Sequence, residues 1–251
     1  MNHIIITGAS KGLGEGIALE LANESNHLIC ISRSKSQKLE KLAAAKGCPV
    51  TFFVFDLSFT EKITDLAQLI FEKLNLRQAA GVYLVNNAGV INPVGRAEDC
   101  PPEEVDKHLR INLLAPMLLT SAFIRFTKQF NAKKRVLNIS SGAANYPYYG
   151  WSNYCAGKAG LNMFTRCVAA EQQGANYPVE IMAVAPGIID TGMQELIRNA
   201  SPQQFIHRDK FIEYKKSGQL IDPLLAGKKI SKLLLSNEFK NGAIIDLRDA
   251  H

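Results

Sequence analysis

Tyr154 and Lys158 are spaced to share one face of a helix, and Ser141 lies thirteen residues upstream of the tyrosine. At i and i+4 both side chains point to the same side. A phenol titrates near ~10 when unperturbed, so alone it holds its proton too tightly for ready exchange at neutral pH. An ammonium a few ångströms away stabilises the phenolate and brings the phenol toward the working range. The Ser141 hydroxyl follows the apolar run 136–139 and could hold a substrate oxygen beside the phenol. These residue types suggest proton transfer at an oxygen. A Tyr-x-x-x-Lys alone is common on ordinary helix surfaces, so its meaning depends on the elements that carry it.

Ile4, Ile5 and Ile6 form a short β-branched run that reads as a buried strand. It leads into Gly8, Ser10, Lys11, Gly12, Leu13 and Gly14, then into the helical apolar spacing of Ile17, Leu19, Leu21 and Ala22. Strand, glycine turn and helix together are the context a phosphate-binding loop requires. Glycines let the backbone turn tightly and approach a pyrophosphate, which sits on free N–H groups at the positive helix end. A plain glycine turn is the bland alternative, and the context weighs against it. Further apolar runs at 28–31, 50–55, 82–85, 136–139, 179–184 and 243–247 predict strands, and helical spacing fills 14–23, 36–46, 60–74, 103–130, 153–173 and 223–235. Such alternation implies an α/β fold, a parallel sheet with helices on both faces and right-handed crossovers. Ligands should then meet beyond the carboxyl ends of the strands.

Composition narrows the function classes. The chain has 251 residues, 47% of them hydrophobic, and a formal net charge of +6. That length suits one α/β domain or two smaller ones, and buries roughly 70–75% of the unfolded surface. No run approaches the ~18 apolar residues of a membrane span, and Met1-Asn2-His3 opens into a strand without a signal peptide. A cytoplasmic protein with no membrane partner is expected. The five cysteines (Cys30, Cys48, Cys100, Cys155, Cys167) are odd in number and lack metal-ligand spacing, so reduced thiols and no metal site are expected. Lys and Arg are dispersed, with 133–135 and 215–216 the tightest groups; these read as solvated loop charges rather than a nucleic-acid surface. His3, His27, His108, His207 and His251 show no pairing in the sequence and are assigned no chemistry.

Gly8-x3-Gly12-x-Gly14, Asn86-Asn87-Ala88-Gly89, Asn112, Ser141, Tyr154-x3-Lys158 and Pro186-Gly187 stand in the order and spacing of the short-chain dehydrogenase/reductases, and from about residue 4 to 247 the chain resembles that family. The resemblance implies a Rossmann-type, doubly wound, seven-stranded parallel sheet in a single domain over 1–251. It implies a catalytic set of Asn112, Ser141, Tyr154 and Lys158. Tyr154 would give a proton to a ketone oxygen and Ser141 would position that oxygen. Lys158 would lower the phenol pKa and orient the nicotinamide ribose, and the Asn112 backbone carbonyl would help hold a water in the proton relay. Family spacing also selects Ser141 over Ser140. By the same resemblance Asp56 bonds the adenine amino group (a helix N-cap being the alternative) and Asn87, Ala88 and Gly89 line the adenosine side. Pro186, Gly187, Ile188 and Thr191 would close over the nicotinamide.

The end of the second strand bears on which nucleotide is used. A preference for NAD usually comes with an acid there, and this chain has Ile31-Ser32-Arg33-Ser34. Arg33 can form a bidentate contact to a 2′-phosphate, and Lys11 adds a second positive charge, so NADPH is expected; an exposed surface arginine is the alternative. Substrate choice should lie in the aromatic stretch holding Tyr148, Tyr149 and Trp151, and in the polar segment 190–218, read as a mobile lid that includes Met193. This density of aromatics suggests a flat substrate, with core packing or a subunit contact as alternatives. Ala185-Pro186-Gly187-x-x-Asp190-Thr191-x-Met193-Gln194 looks like the sepiapterin reductase branch. The 112–117 segment and the tyrosine-rich approach to Tyr154 look most like bacterial benzil reductases that form (S)-benzoin. Both groups reduce one carbonyl of a vicinal dicarbonyl compound. The expected function is therefore NADPH-dependent reduction of a small-molecule ketone, an aromatic 1,2-diketone first, a sepiapterin-like or other ketone second. A nucleotide-sensing regulator without turnover is the alternative of a different class; the intact catalytic set weighs against it. Family analogy adds a homodimer through the 103–130 and 153–173 helices, where Met117, Leu118, Phe164 and Val168 could equally be core.

Overall fold

A strand covered on both faces carries an unbroken apolar run rather than an alternating one. Ile4, Ile5 and Ile6 lie in such a strand, β1 (Asn2–Thr7), paired on either side and at most 2% exposed. The computed structural model describes residues 1–248. After β1 come α1 (Gly12–Leu21), β2 (Asn26–Ser32), α2 (Gln37–Ala45), β3 (Val50–Val54), α3 (Ile63–Glu72), β4 (Gly81–Asn86), α4 (Pro102–Leu109) and α5 (Ala115–Thr127). The second half holds β5 (Lys133–Ile139), α6 (Ser152–Glu171), β6 (Glu180–Ala185), α7 (Gly192–Asn199), α8 (Arg208–Lys216), α9 (Pro223–Leu235) and β7 (Ile244–Asp246).

The seven strands form one sheet in the order β3-β2-β1-β4-β5-β6-β7, every pairing parallel. This is the expected doubly wound α/β architecture. The strand order reverses between β1 and β4, and that reversal opens a crevice beyond their carboxyl ends. Successive side chains of a strand face opposite sides, so β1 seeds two core layers. Ile4 and Ile6 pack with Ile17 and Leu21 of α1 and Ile230 and Leu234 of α9. Ile5 packs with Ile63 and Ile70 of α3 and Leu119 and Phe123 of α5. Helices α1 and α9 cross closely: a Cβ on Gly16 would stand 2.3 Å from the Pro223 carbonyl oxygen, and one on Gly227 would stand 2.5 Å from the Gly16 carbonyl carbon. Of the residues left open between core and subunit contact, Val168 is buried, Leu118 and Phe164 pack partly on the second layer, and Met117 is half-buried.

Three features of the fold go beyond the sequence expectations. The 103–130 helix is not uniform: α4 and α5 join through a π turn at Arg110–Leu114 that carries Asn112. Such turns place an extra residue in the helix and recur at functional sites. The continuous 26-residue helix Pro102–Thr127 is also long and apolar enough, by length and composition, to cross a membrane, which the search for unbroken apolar runs missed. Its apolarity has a use inside the fold, since Ile111, Ala115, Leu119, Ala122 and Phe123 are buried. Finally, the polar segment 190–218 is built of two helices, α7 and α8. Its sparse apolar residues Ile197, Phe205 and Phe211 are buried against Trp151 and Tyr154, which gives the segment a core of its own.

Candidate active site

The β1–α1 turn is tied to the neighbouring strand. Gly8 adopts φ +69°, a backbone that side chains rarely accept. The Thr7 hydroxyl accepts hydrogen bonds from the backbone N–H groups of Asn87 (2.9 Å) and Ala88 (3.0 Å), and the Asn87 side-chain amide donates to the Thr7 carbonyl (2.9 Å). No side chain caps the first turn of α1, so its backbone donors remain for an anion. A cavity of about 1170 Å³ opens here, at the carboxyl ends of the strands. That exceeds the ~300–1,000 Å³ of an ordinary small-molecule pocket and has room for a dinucleotide with a second ligand.

Most of the residues expected at the site meet in this one cavity. Gly8, Ser10, Lys11, Gly12, Leu13 and Gly14 line it from the turn, Arg33 and Asp56 from beyond β2 and β3, and Asn87, Ala88 and Gly89 from beyond β4. Ser141 follows β5, Tyr154 and Lys158 come from α6, and Pro186, Gly187, Ile188 and Thr191 follow β6. Lys11 and Arg33 form no ion pair among the described residues. The Asp56 carboxylate accepts the Ser58 backbone N–H at 2.9 Å in a local turn while facing the cavity; it does not cap a helix, since Phe59 and Lys62 hold the N-cap positions of the helical turns that follow. Burial opposes its ionisation, but the Ser58 hydrogen bonds and the charges of Arg33 and Lys107 outweigh that and hold the carboxyl below its ordinary range.

Ser141 and Tyr154 are hydrogen-bonded to each other, and the Ser141 oxygen also accepts the Ala143 N–H at 3.2 Å. Ser140 borders the same cavity, with its hydroxyl donating to Asn162 Oδ1 at 2.6 Å. Lys158 Nζ donates to the Ile139 carbonyl at 2.8 Å and stands 5.8 Å from the centre of the Tyr154 ring. Both residues are less than a tenth exposed. Burial pushes the Tyr154 phenol up, with the Ser141 hydrogen bond pulling it partly back, and burial pushes Lys158 down to about 8. The expected lowering of the phenol by the ammonium is therefore not the dominant effect in this arrangement; desolvation is.

Asn112 does not line the cavity. It is fully buried, its Oδ1 accepting the Val90 N–H (2.9 Å) and its Nδ2 donating to the Val90 carbonyl (2.7 Å), so it straps the chain after Gly89 to the π turn. At the substrate end Tyr148, Trp151 and Met193 line the cavity. Trp151 stacks on Phe205 (centroids 4.5 Å, planes 4° apart) and leans on Tyr148 at 5.0 Å, so core packing and pocket lining are both true of it. Tyr149 is a correction: it is 40% exposed and off the cavity wall, because its neighbours Tyr148 and Trp151 take the inward positions.

Sequence reading passed over several residues. The Thr7 clamp had no signal beyond its place before Gly8. His108 borders the cavity, fully buried and edge-on to Tyr154 at 6.1 Å; its one visible signal was the i, i+4 spacing to Asn112. Phe211 and Tyr214 complete the aromatic wall, and Phe205 is buried behind it against Trp151. The histidines are also not all unpaired: His3 and His27 face each other across β1 and β2 with rings 5.4 Å apart, at the strand ends remote from the cavity. His207 stands against Tyr148, and His251 lies outside the described residues. Among the described residues no cluster of metal-ligating side chains occurs.

Known proteins agree with this geometry. The short chain dehydrogenase profile matches residues 2–202. A benzil reductase ((S)-benzoin forming) of Bacillus cereus is 42% identical over 98% of this chain and 98% of its own length. A sepiapterin reductase of Bos taurus is 32% identical over 98% of this chain and 94% of its own. A short chain dehydrogenase/reductase structure from Saccharomyces cerevisiae superposes with a TM-score of 0.83 at 27% identity, covering 100% of this chain and 97% of that one.

Proposed function

The chain belongs to the short chain dehydrogenase family of oxidoreductases, which use a nicotinamide nucleotide, and from that premise we propose that it is an NADPH-dependent carbonyl reductase converting an aromatic 1,2-diketone such as benzil to (S)-benzoin. The observation that carries this reading is the meeting of the Ser141–Tyr154 pair with the aromatic wall of Tyr148 and Trp151 in one cavity. A flat aryl ring has favourable stacking partners there.

The glycine turn, packed so closely that Gly14 has no room for a methyl, fits a pyrophosphate on its backbone donors. Lys11 and Arg33 would hold a 2′-phosphate, and Asp56 with Asn87, Ala88 and Gly89 would receive the adenosine. Lys158 would hold the nicotinamide ribose, and Pro186, Gly187, Ile188 and Thr191 would cover the ring. Bound NADPH would supply the hydride. The residues of this chain handle the oxygen: Ser141 donates a hydrogen bond to it and Tyr154 gives it a proton. Lys158, close behind the phenol, favours the charge left on Tyr154 after transfer. Each carbonyl of a vicinal diketone activates the other, so reduction of one leaves a less reactive hydroxyketone and the reaction stops after a single turnover of each molecule.

Glu195 also lines the cavity and could accept from an amino group, which favours a sepiapterin-like ketone as the second reading. All five cysteines are free, which supports the cytoplasmic location we assign. We also propose a homodimer through the outer sides of α5 and α6, where Met163 is 57% exposed. The substrate is tested by following NADPH oxidation with benzil, sepiapterin and simple aliphatic ketones, and by chiral chromatography of the product. One enantiomer, (S)-benzoin, is expected. Racemic benzoin, the diol, or turnover of the aliphatic ketones with none of benzil would reject the proposal.

A further inference from the structure

His108 has no part in the chemistry described above, yet it joins three segments of the site. Its Nδ1 lies 2.7 Å from the Asn92 carbonyl oxygen, so this nitrogen carries the proton and donates. Its Nε2 lies 2.8 Å from Asn112 Nδ2. That amide nitrogen is fixed as a donor, because Asn112 Oδ1 already accepts the Val90 N–H. The same nitrogen lies 3.4 Å from Nδ1, so the amide sits over the ring beside both nitrogens, and the backbone of Asn153 on α6 is a further hydrogen-bond partner of the imidazole. On its other side the ring meets α6. Tyr154 stands edge-on to it, and a Cβ on Gly157 would come within 3.7 Å of Nε2. Val90, Ile91 and Asn92 are cavity wall, so the ring spans from that wall through Asn112 to the helix that carries Tyr154 and Lys158.

We propose that His108 is a positioning residue of this active site, holding the Asn112 amide and the 90–92 wall in register with the Tyr154–Lys158 face of α6. The titratable groups facing it from α6 are Tyr154 and Lys158. Burial pushes the imidazole below its ordinary range, against the backbone hydrogen bonds of Asn92 and Asn153, and the Lys158 ammonium adds to that push.

The role in turnover rests on the carbonyl-reductase reading, so one arm of the test does not use activity. His108→Leu keeps bulk and removes both polar contacts, whereas His108→Gln keeps a donor and an acceptor. In the first arm, amide hydrogen exchange is followed by mass spectrometry. His108→Leu should speed exchange in the 88–93 segment and leave the rest of the protein unchanged, and His108→Gln should restore protection. In the second arm, kinetics with benzil and NADPH should show kcat falling roughly tenfold or more in His108→Leu, the scale of a small misplacement of reacting groups. NADPH binding should stay within about twofold, with most of kcat recovered in His108→Gln. Unchanged exchange at 88–93, or wild-type kcat in His108→Leu, overturns the proposal. So does a general loss of stability, NADPH binding and kcat that His108→Gln does not relieve. If wild type reduces no ketone, the functional reading falls and the exchange arm still decides the role of His108.

Discussion

A methyl group at position 14 should damage cofactor binding far more than its size suggests. The Cβ of Gly14→Ala would stand 2.3 Å from the Gly8 carbonyl oxygen and 2.4 Å from Asn87 Nδ2, about 1 Å inside ordinary contact on both sides. No side-chain rotation relieves this, since one neighbour is backbone of the same turn and the other is held to the Thr7 carbonyl at 2.9 Å. Either the turn opens or Asn87 leaves Thr7. Overpacking of this kind costs ~1–3 kcal/mol, and loss of one hydrogen bond adds ~0.5–1.5 kcal/mol. A total of about 2–4 kcal/mol lowers Tm by roughly 5–15 °C in a chain of this length. The opened turn can no longer present its N–H groups together, so the NADPH dissociation constant should rise more than about tenfold, or ~1.4 kcal/mol. Gly174→Ala is the control, because nothing lies within 4 Å of its Cβ and its backbone is not left-handed. Differential scanning calorimetry and NADPH fluorescence titration read both effects. A Gly14→Ala protein matching Gly174→Ala in Tm and dissociation constant would refute the steric argument.

Tyr154→Phe should cut kcat by roughly 10²-fold or more while NADPH affinity holds; stopped-flow single turnovers near the wild-type rate would mean that the proton comes from elsewhere. Its stability cost should stay at or below ~1.5 kcal/mol, since one hydrogen bond, to Ser141, is lost. Arg33→Asp should lower kcat/KM for NADPH by ~1.5–3 kcal/mol, about 10–150-fold, and leave NADH nearly unaffected; an unchanged NADPH/NADH ratio, or a wild type that already prefers NADH, reduces Arg33 to a surface residue. Stability should fall as pH drops through ~6.5, because burial holds His3, His27 and His108 below their unfolded pKa and the unfolded chain therefore binds more protons in that window. A Tm that stays level or rises between pH 7 and 5.5 contradicts this sign.

The sheet was legible because its strands are buried on both sides and so carry unbroken β-branched runs, as Ile4 to Ile6 do. The helix ends and the segment after β6 were less so. Residues 190–218 look polar because only one side of α7 and α8 touches the protein. The large apolar residues buried there, Ile197, Phe205 and Phe211, are too widely spaced to register as a periodic pattern. The π turn left no trace either, since a helix with one extra residue keeps nearly the same apolar spacing on each side of it. Tyr149 was misassigned for a related reason: three aromatics in four positions cannot all face one cavity, and which ones turn inward is decided by Phe205 and Met193, which are distant in sequence.

The residue types of the site were readable, but their protonation was not. Spacing put Lys158 behind Tyr154 and led to a lowered phenol, an argument that counts charge and omits solvent. The fold surrounds both groups with protein, and desolvation disfavours the charged form of each, raising the phenol and bringing the amine down to about 8. The consequence favours reduction. A donor must hold its proton until a substrate oxygen becomes basic enough to take it, and a buried tyrosine does so across the neutral range. Ser141, hydrogen-bonded to the phenol, orients it for that transfer. Lys158, anchored on the Ile139 carbonyl, supplies its charge most strongly when Tyr154 becomes anionic. Burial thus keeps on Tyr154 the proton that the spacing to Lys158 alone would loosen, which is what carbonyl reduction needs.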